Sequence, residues 1–138
     1  MADILVDSSG WGCLFDANQP CHALAANTYR SARLHGRRLV TTGYILAELV
    51  ALMTSPLRMP RSSIVAFVEG VKASPFVDII HVDATMDADA GQLLRSRLDK
   101  EWSLVDCVSL VLMQRTGIKE ALTTDHHFEQ AGFVRLLK

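Results

Sequence analysis

Four acidic side chains stand where a folding chain gains little from having them. Asp7 follows the branched apolar run "ILV" and is itself followed by Ser8, Ser9 and Gly10. Asp125 follows "ALTT" in the same way, with His126 and His127 behind it. Glu48 is the lone acid of "YILAELVALM", and Asp106 is the lone acid of "WSLVDCVSLVLM". A carboxylate in such surroundings is costly unless something compensates it. Each also has a structural explanation. Asp7 and Asp125 can cap helices, and Ser103 with Asp106 fits the S-x-x-D pattern of a capping box. Glu48 is the hardest to explain this way, because an apolar helix gains little from an unpaired acid.

If the four carboxylates converge to within about 4–6 Å, they raise one another's pKa, and a divalent cation removes the strain. Oxygen donors without Cys or His at zinc spacing suit Mg²⁺, with Mn²⁺ as the alternative. A cation held this way lowers the pKa of a water, aligns it with a phosphodiester and stabilises the leaving oxygen. These are the requirements of phosphodiester hydrolysis. The hydroxyls of Ser8, Ser9, Thr123 and Thr124 can orient the acids from outside, or they can serve only turns and caps.

The elements that must position these residues are legible as alternating patterns. Short branched runs predict strands at 4–6, 38–42, 76–82, 121–124 and 133–137. Apolar spacing of three or four predicts helices over 22–35, 44–53, 61–73, 84–99 and 104–116, with Pro60 opening the third and Gly117 closing the last. A short helix ending near Gly132 fits after Asp125. Strands separated by helices predict an α/β protein, a three-layer α/β/α sandwich on a mostly parallel sheet of four to five strands. In such sheets ligands sit beyond the carboxyl ends of the strands, and Asp7 and Asp125 would emerge there together.

The 138 residues fit one domain over 1–138, with 49% hydrophobic and 21% charged residues. A formal charge of −1 argues against a globally basic nucleic-acid binder, so a polyanion must be gripped locally. Arg30, Arg33, Arg37, Arg38, Arg58 and Arg61 cluster around a single acid, as a solvated face or as a phosphate-gripping rim. Cys13, Cys21 and Cys107 are odd in number and lack metal-ligand spacing, which reads as small buried or half-buried residues in a reducing cytoplasm. No basic leader and no run of about 18 apolar residues is present, which disfavours secretion and membrane spanning.

Other charged groups rank lower. His126 and His127 are adjacent, so they should point in different directions, and no third soft ligand stands nearby in sequence. Structural or surface roles suit them, with substrate contact as the alternative. Asp87 and Asp89 charge the start of a helix, and Glu101 is a surface residue or a minor site candidate.

The stretches "ILVDSSGW", "VTTGYILAELVALM", "WSLVDCVSLVLMQRTGI" and "ALTTDHHFEQAGFVRLL", in this order, resemble the PIN-domain family and, within it, the VapC-type toxins of bacterial toxin–antitoxin modules. The resemblance spans nearly the whole chain. It implies that Asp7, Glu48, Asp106 and Asp125 form the metal-binding acidic cluster of an endoribonuclease, with Ser9 and Thr123 at the family's hydroxyl positions. It also implies a PIN-like fold, an RNA substrate, a cognate antitoxin protein, a homodimer and a cytoplasmic setting without membrane contact. Ser8 stands where threonine is common. Apolar area on the helices around 44–75 can supply a dimer interface or pack within the chain.

Rival readings fit less well. A phosphatase of the haloacid-dehalogenase type wants a second acid two residues after Asp7, where Ser9 stands. A receiver domain wants paired acids at the first strand, and no glycine-rich phosphate loop is evident. A catalytically silent PIN-fold RNA-binding or scaffold module needs none of the four acids, yet all four are present.

Overall fold

In the computed structural model, which describes residues 2–138, the run Ile4–Val6 forms the first strand, and all three side chains are fully buried. Successive side chains of a strand point to opposite faces, so complete burial requires cover on both sides of the sheet. The chain runs β1 (Ile4–Val6), α1 (Ser8–Phe15), α2 (His22–Leu34), β2 (Leu39–Thr42), α3 (Gly43–Thr54), α4 (Arg61–Ala73), β3 (Val77–Ile80), α5 (Ala84–Ser96), α6 (Leu104–Thr116), β4 (Glu120–Leu122), α7 (His127–Gln130) and β5 (Val134–Arg135). The five strands are all parallel in the order β3-β2-β1-β4-β5. The right-handed crossovers of parallel strands put α1 to α4 over one face and α5 with α6 over the other. α1 packs on α2 and α3, α3 on α4, and α5 on α6, and α3 also touches α6.

The register fixes what reaches the carboxyl edge. Val6 pairs with Leu122, so Asp7 and Thr123 leave the sheet side by side. β2 and β3 extend to one side of β1, and β4 and β5 to the other, so the order reverses at β1 and opens a crevice there.

Three features depart from the sequence reading. First, a helix follows β1 directly. Two glycines in its eight residues hide it from propensity. Asp7 caps it by accepting from Gly10 N at 3.0 Å. Gly10 is needed because a Cβ there would lie 2.0 Å from Leu122 O, so α1 starts pressed against β4. Second, α5 ends at Ser96 rather than 99, because Arg97 leaves the helical region and its guanidinium turns to Asp99.

Third, Cys13 and Cys21 are paired as a disulfide with their Cα atoms 5.7 Å apart, and only Cys107 is free. The turn through Asp16 and Gln19 folds the chain back after α1, and the His22 ring bonds to Cys13 O at 2.8 Å. The folded-back loop therefore brings together two cysteines that sequence spacing left apart.

Candidate active site

Asp7, at the end of the central strand, is 7% exposed and accepts three hydrogen bonds. Its Oδ1 accepts from Gly10 N at 3.0 Å and Ser9 Oγ at 2.7 Å, and its Oδ2 accepts from Thr123 Oγ1 at 2.6 Å. Burial pushes its pKa up to about 6 against the pull of these donors, and the neighbouring Asp125 carboxylate adds to the rise. Thr123 is completely buried, and its hydroxyl also accepts from Asp125 N at 2.9 Å. Ser9 Oγ accepts from Thr124 N at 3.0 Å. The loop after β4 is thus strapped to the start of α1 by two hydroxyls.

The two helix-borne acids join from either side. Ser8 Oγ donates to Glu48 Oε1 at 2.5 Å, which ties the second turn of α3 to the residue next to Asp7. Asp106 completes the capping box of α6: its N bonds Ser103 Oγ at 3.0 Å, and its Oδ2 accepts from Ser103 N at 3.1 Å. That cap does not exhaust it. The same Oδ2 lies 3.0 Å from His127 Nδ1, and Oδ1 accepts nothing among the described residues. Capping and a place at the site coexist in this carboxylate.

His127 is the residue that sequence reasoning set aside and the structure brings in. Its backbone N donates to Asp125 Oδ1 at 2.9 Å, while its Nδ1 lies 3.2 Å from Asp125 Oδ2. The adjacent rings were expected to diverge. Instead the chain turns helical at His126, and the two ring centroids are 4.8 Å apart. Asp125, His126 and His127 form the one group of three His, Cys, Asp or Glu among the described residues whose ligand atoms all lie within 4.8 Å of one another. The four predicted acids form no such trio by themselves; hydroxyls and an imidazole stand between them. The signal available in the sequence was the Asp125-x-His127 spacing, which an Asx turn folds back on itself.

Other candidates lie elsewhere. Asp87 accepts from Tyr44 Oη at 2.6 Å in the first turn of α5, Asp89 pairs with Arg115, and Glu101 is exposed. Arg37 and Arg38 stand before β2, at the sheet edge opposite the acids, where Arg37 pairs with Glu120 and Arg38 Nε donates to Asp78 Oδ2 at 2.7 Å. Arg33 lies over Phe76, 4.1 Å from its centroid. Arg37 and Arg38 are thus engaged by carboxylates away from the acids, which argues against a phosphate rim there, while Arg33 is exposed and stacks on an aromatic ring.

The donor set fits a hard divalent cation. Every predicted ligand atom is a carboxylate oxygen, and Asp106 Oδ1 and Glu48 Oε2 carry no hydrogen bond among the described residues. Buried Asp7, held above its ordinary pKa, gains most from a positive neighbour.

A parallel sheet that carries acids from four separated segments to one crevice is the frame of the PIN domain, and the chain belongs to that family, whose profile matches residues 4–134. Among relatives it is similar to VapC20 of Mycobacterium tuberculosis, a 23S rRNA-specific endonuclease. Identity is 29% over 133 residues, covering 96% of this chain and 97% of that one. The crystal structure of VapC20, described as a Sarcin-Ricin loop cleaving toxin, matches with a TM-score of 0.83 at 28% identity, over 96% of this chain and 97% of that one. FitAcB from Neisseria gonorrhoeae matches with a TM-score of 0.67 over 98% and 95%, and at 18% identity it shares the fold. Within the family, the chain is of the VapC type.

Proposed function

We propose that this protein is a divalent-metal-dependent endoribonuclease, the toxin of a type II, VapBC-like toxin–antitoxin module. The observation that supports this reading best is the meeting of Asp7, Glu48, Asp106 and Asp125 at one sheet edge, linked through Ser8, Thr123 and His127. Asp7, Glu48, Asp106 and Asp125 would hold Mg²⁺, or Mn²⁺ in its place. When bound, the cation supplies charge compensation at the phosphodiester and acidity to the attacking water. Ser9 and Thr123 keep Asp7 oriented, and Ser8 does the same for Glu48. The substrate is RNA, as it is for VapC20.

The partners follow from the same reading. A cleft of about 530 Å³ between α1, α2 and α4, lined mainly by apolar residues such as Trp11, Leu14, Tyr29, Phe67 and Val71, offers an antitoxin a surface. Leu52 and Val65, exposed on α3 and α4, support a homodimer. No helix of the described residues is long and apolar enough to cross a membrane, and an RNA substrate and an antitoxin partner support a cytoplasmic setting, against which the Cys13–Cys21 disulfide stands.

The test is RNA cleavage by the purified protein with Mg²⁺ or Mn²⁺ and with chelator, alongside Asp7→Asn and Asp106→Asn. Both substitutions should abolish cleavage, and relieve toxicity on bacterial expression, while the fold survives. Cleavage that persists in chelator, or equal toxicity of all three proteins, overturns the reading in favour of a silent RNA-binding module.

A further inference from the structure

We infer that His127 is a positioning residue, which holds Asp106 and Asp125 in the orientation a divalent cation requires without ligating it. The inference rests on the metal-dependent reading above and deepens it. A carboxylate oxygen accepts, so the proton of the bond to Asp106 Oδ2 sits on His127 Nδ1, 3.0 Å away, and Asp125 Oδ2 lies 3.2 Å from the same nitrogen. The backbone N of the same residue donates to the other oxygen of Asp125 at 2.9 Å. One residue therefore holds Asp125 Oδ1 through its backbone N and the helix-capping oxygen of Asp106 through its ring, with Asp125 Oδ2 beside the same ring nitrogen and Asp106 Oδ1 left without a hydrogen bond among the described residues.

This grip is backed by the core. The His127 side chain is only 17% exposed, whereas that of His126 is 65% exposed. The next residue, Phe128, is buried in the core at 1% exposure, and Gln130 Oε1 accepts from Trp102 Nε1 at 3.1 Å. These anchors at α7 fix the imidazole between two acids that belong to different elements, the start of α6 and the loop after β4. Of the two histidines, the exposed one has no such hold.

Groups that orient metal-ligating carboxylates typically account for about 10- to 100-fold in metal affinity or activity. The experiment measures Mn²⁺ binding by calorimetry and by electron paramagnetic resonance, together with kcat and KM for RNA, in the wild type, His127→Ala, His127→Leu, His127→Asn and His126→Ala. Thermal unfolding identifies variants that remain folded. We expect Mn²⁺ affinity to fall at least about tenfold in His127→Ala and His127→Leu. The loss should appear in kcat more than in KM at saturating Mn²⁺. His127→Asn, which keeps an N–H donor near the Nδ1 position, should recover most of the affinity, and His126→Ala should change little. The Mn²⁺ signal of the wild type should carry no ¹⁴N coupling. Unchanged affinity in folded His127→Ala or His127→Leu, failure of His127→Asn to recover it, or ¹⁴N coupling from a directly bound imidazole overturns the inference. If the wild type binds no Mn²⁺ at all, the metal-dependent reading fails first.

Discussion

Thr123 donates its hydroxyl proton to Asp7 Oδ2 across 2.6 Å, although 116 positions separate the two residues in the chain. The link exists because β1 and β4 are parallel neighbours in register up to Val6 and Leu122. Thr123 also accepts from Asp125 N, so one hydroxyl fixes two of the four acids.

Thr123→Val keeps the shape and removes both bonds. It leaves Asp125 N without its partner, which costs about 1–3 kcal/mol of stability. Cleavage should fall at least about tenfold, as for other groups that orient ligands. Denaturant titration and single-turnover RNA cleavage check the two effects separately. Unaltered values for both would show that the link is incidental.

Asp7 sets a pH dependence whose sign can be worked out. Its pKa is about 6 in the fold against an ordinary 3.8, chiefly through burial. The folded state therefore binds this proton more tightly than the unfolded chain. That contribution is full below pH 3.8, declines as the pH rises, and is gone above about 6. One pKa unit is about 1.4 kcal/mol, so the effect is on the order of 3 kcal/mol. In chelator, Asp7→Asn should unfold at a higher temperature than the wild type at pH 8, with the gap closing toward pH 4. Added Mn²⁺ should stabilise the wild type at pH 8 and not the variant. A gap independent of pH would rule out the buried carboxylate as its source.

Gly10→Ala should be among the most damaging single-methyl additions in the chain. The new carbon would meet Leu122 O at 2.0 Å and Val6 Cγ1 at 3.0 Å, and the nearer obstacle is backbone that cannot swing aside. Overpacking of this kind typically costs about 1–3 kcal/mol or more. Gly12→Ala, with open space around it, is the internal control and should unfold close to the wild type.

The paired cysteines can be counted chemically. Protein purified without reductant should show one thiol, Cys107, which reacts only on unfolding because it is buried. After reduction the count should rise to three. A count of three under non-reducing conditions would mean that the Cys13–Cys21 link does not form in solution.

Much of the frame could be read from the chain. The branched run at 4–6 gave away its strand because all three side chains are buried on two faces, whereas of 121–124 only Ala121 and Leu122 lie in a strand, which begins at Glu120. The helix at 61–73 and the one closed by Gly117, at φ 75°, announced their ends through Pro60 and a left-handed glycine. α1 was silent because glycine is there for clearance from Leu122 rather than for helicity. At the site, acids stand out in apolar segments, so Glu48 and Asp106 were conspicuous. His127 was not, because a turn rather than any periodic element aims it at Asp106, and turns leave no repeating pattern.

The sheet order has a consequence for how the chain comes off the ribosome. Its innermost strand is made first, yet the neighbour that carries Thr123 and Asp125 is made more than a hundred residues later. An interrupted translation product ending before residue 120 would hold Asp7, Glu48 and Asp106 with nothing to close the gap. Such a product lacks both Thr123 and Asp125, and with them the bond that holds Asp7 in place.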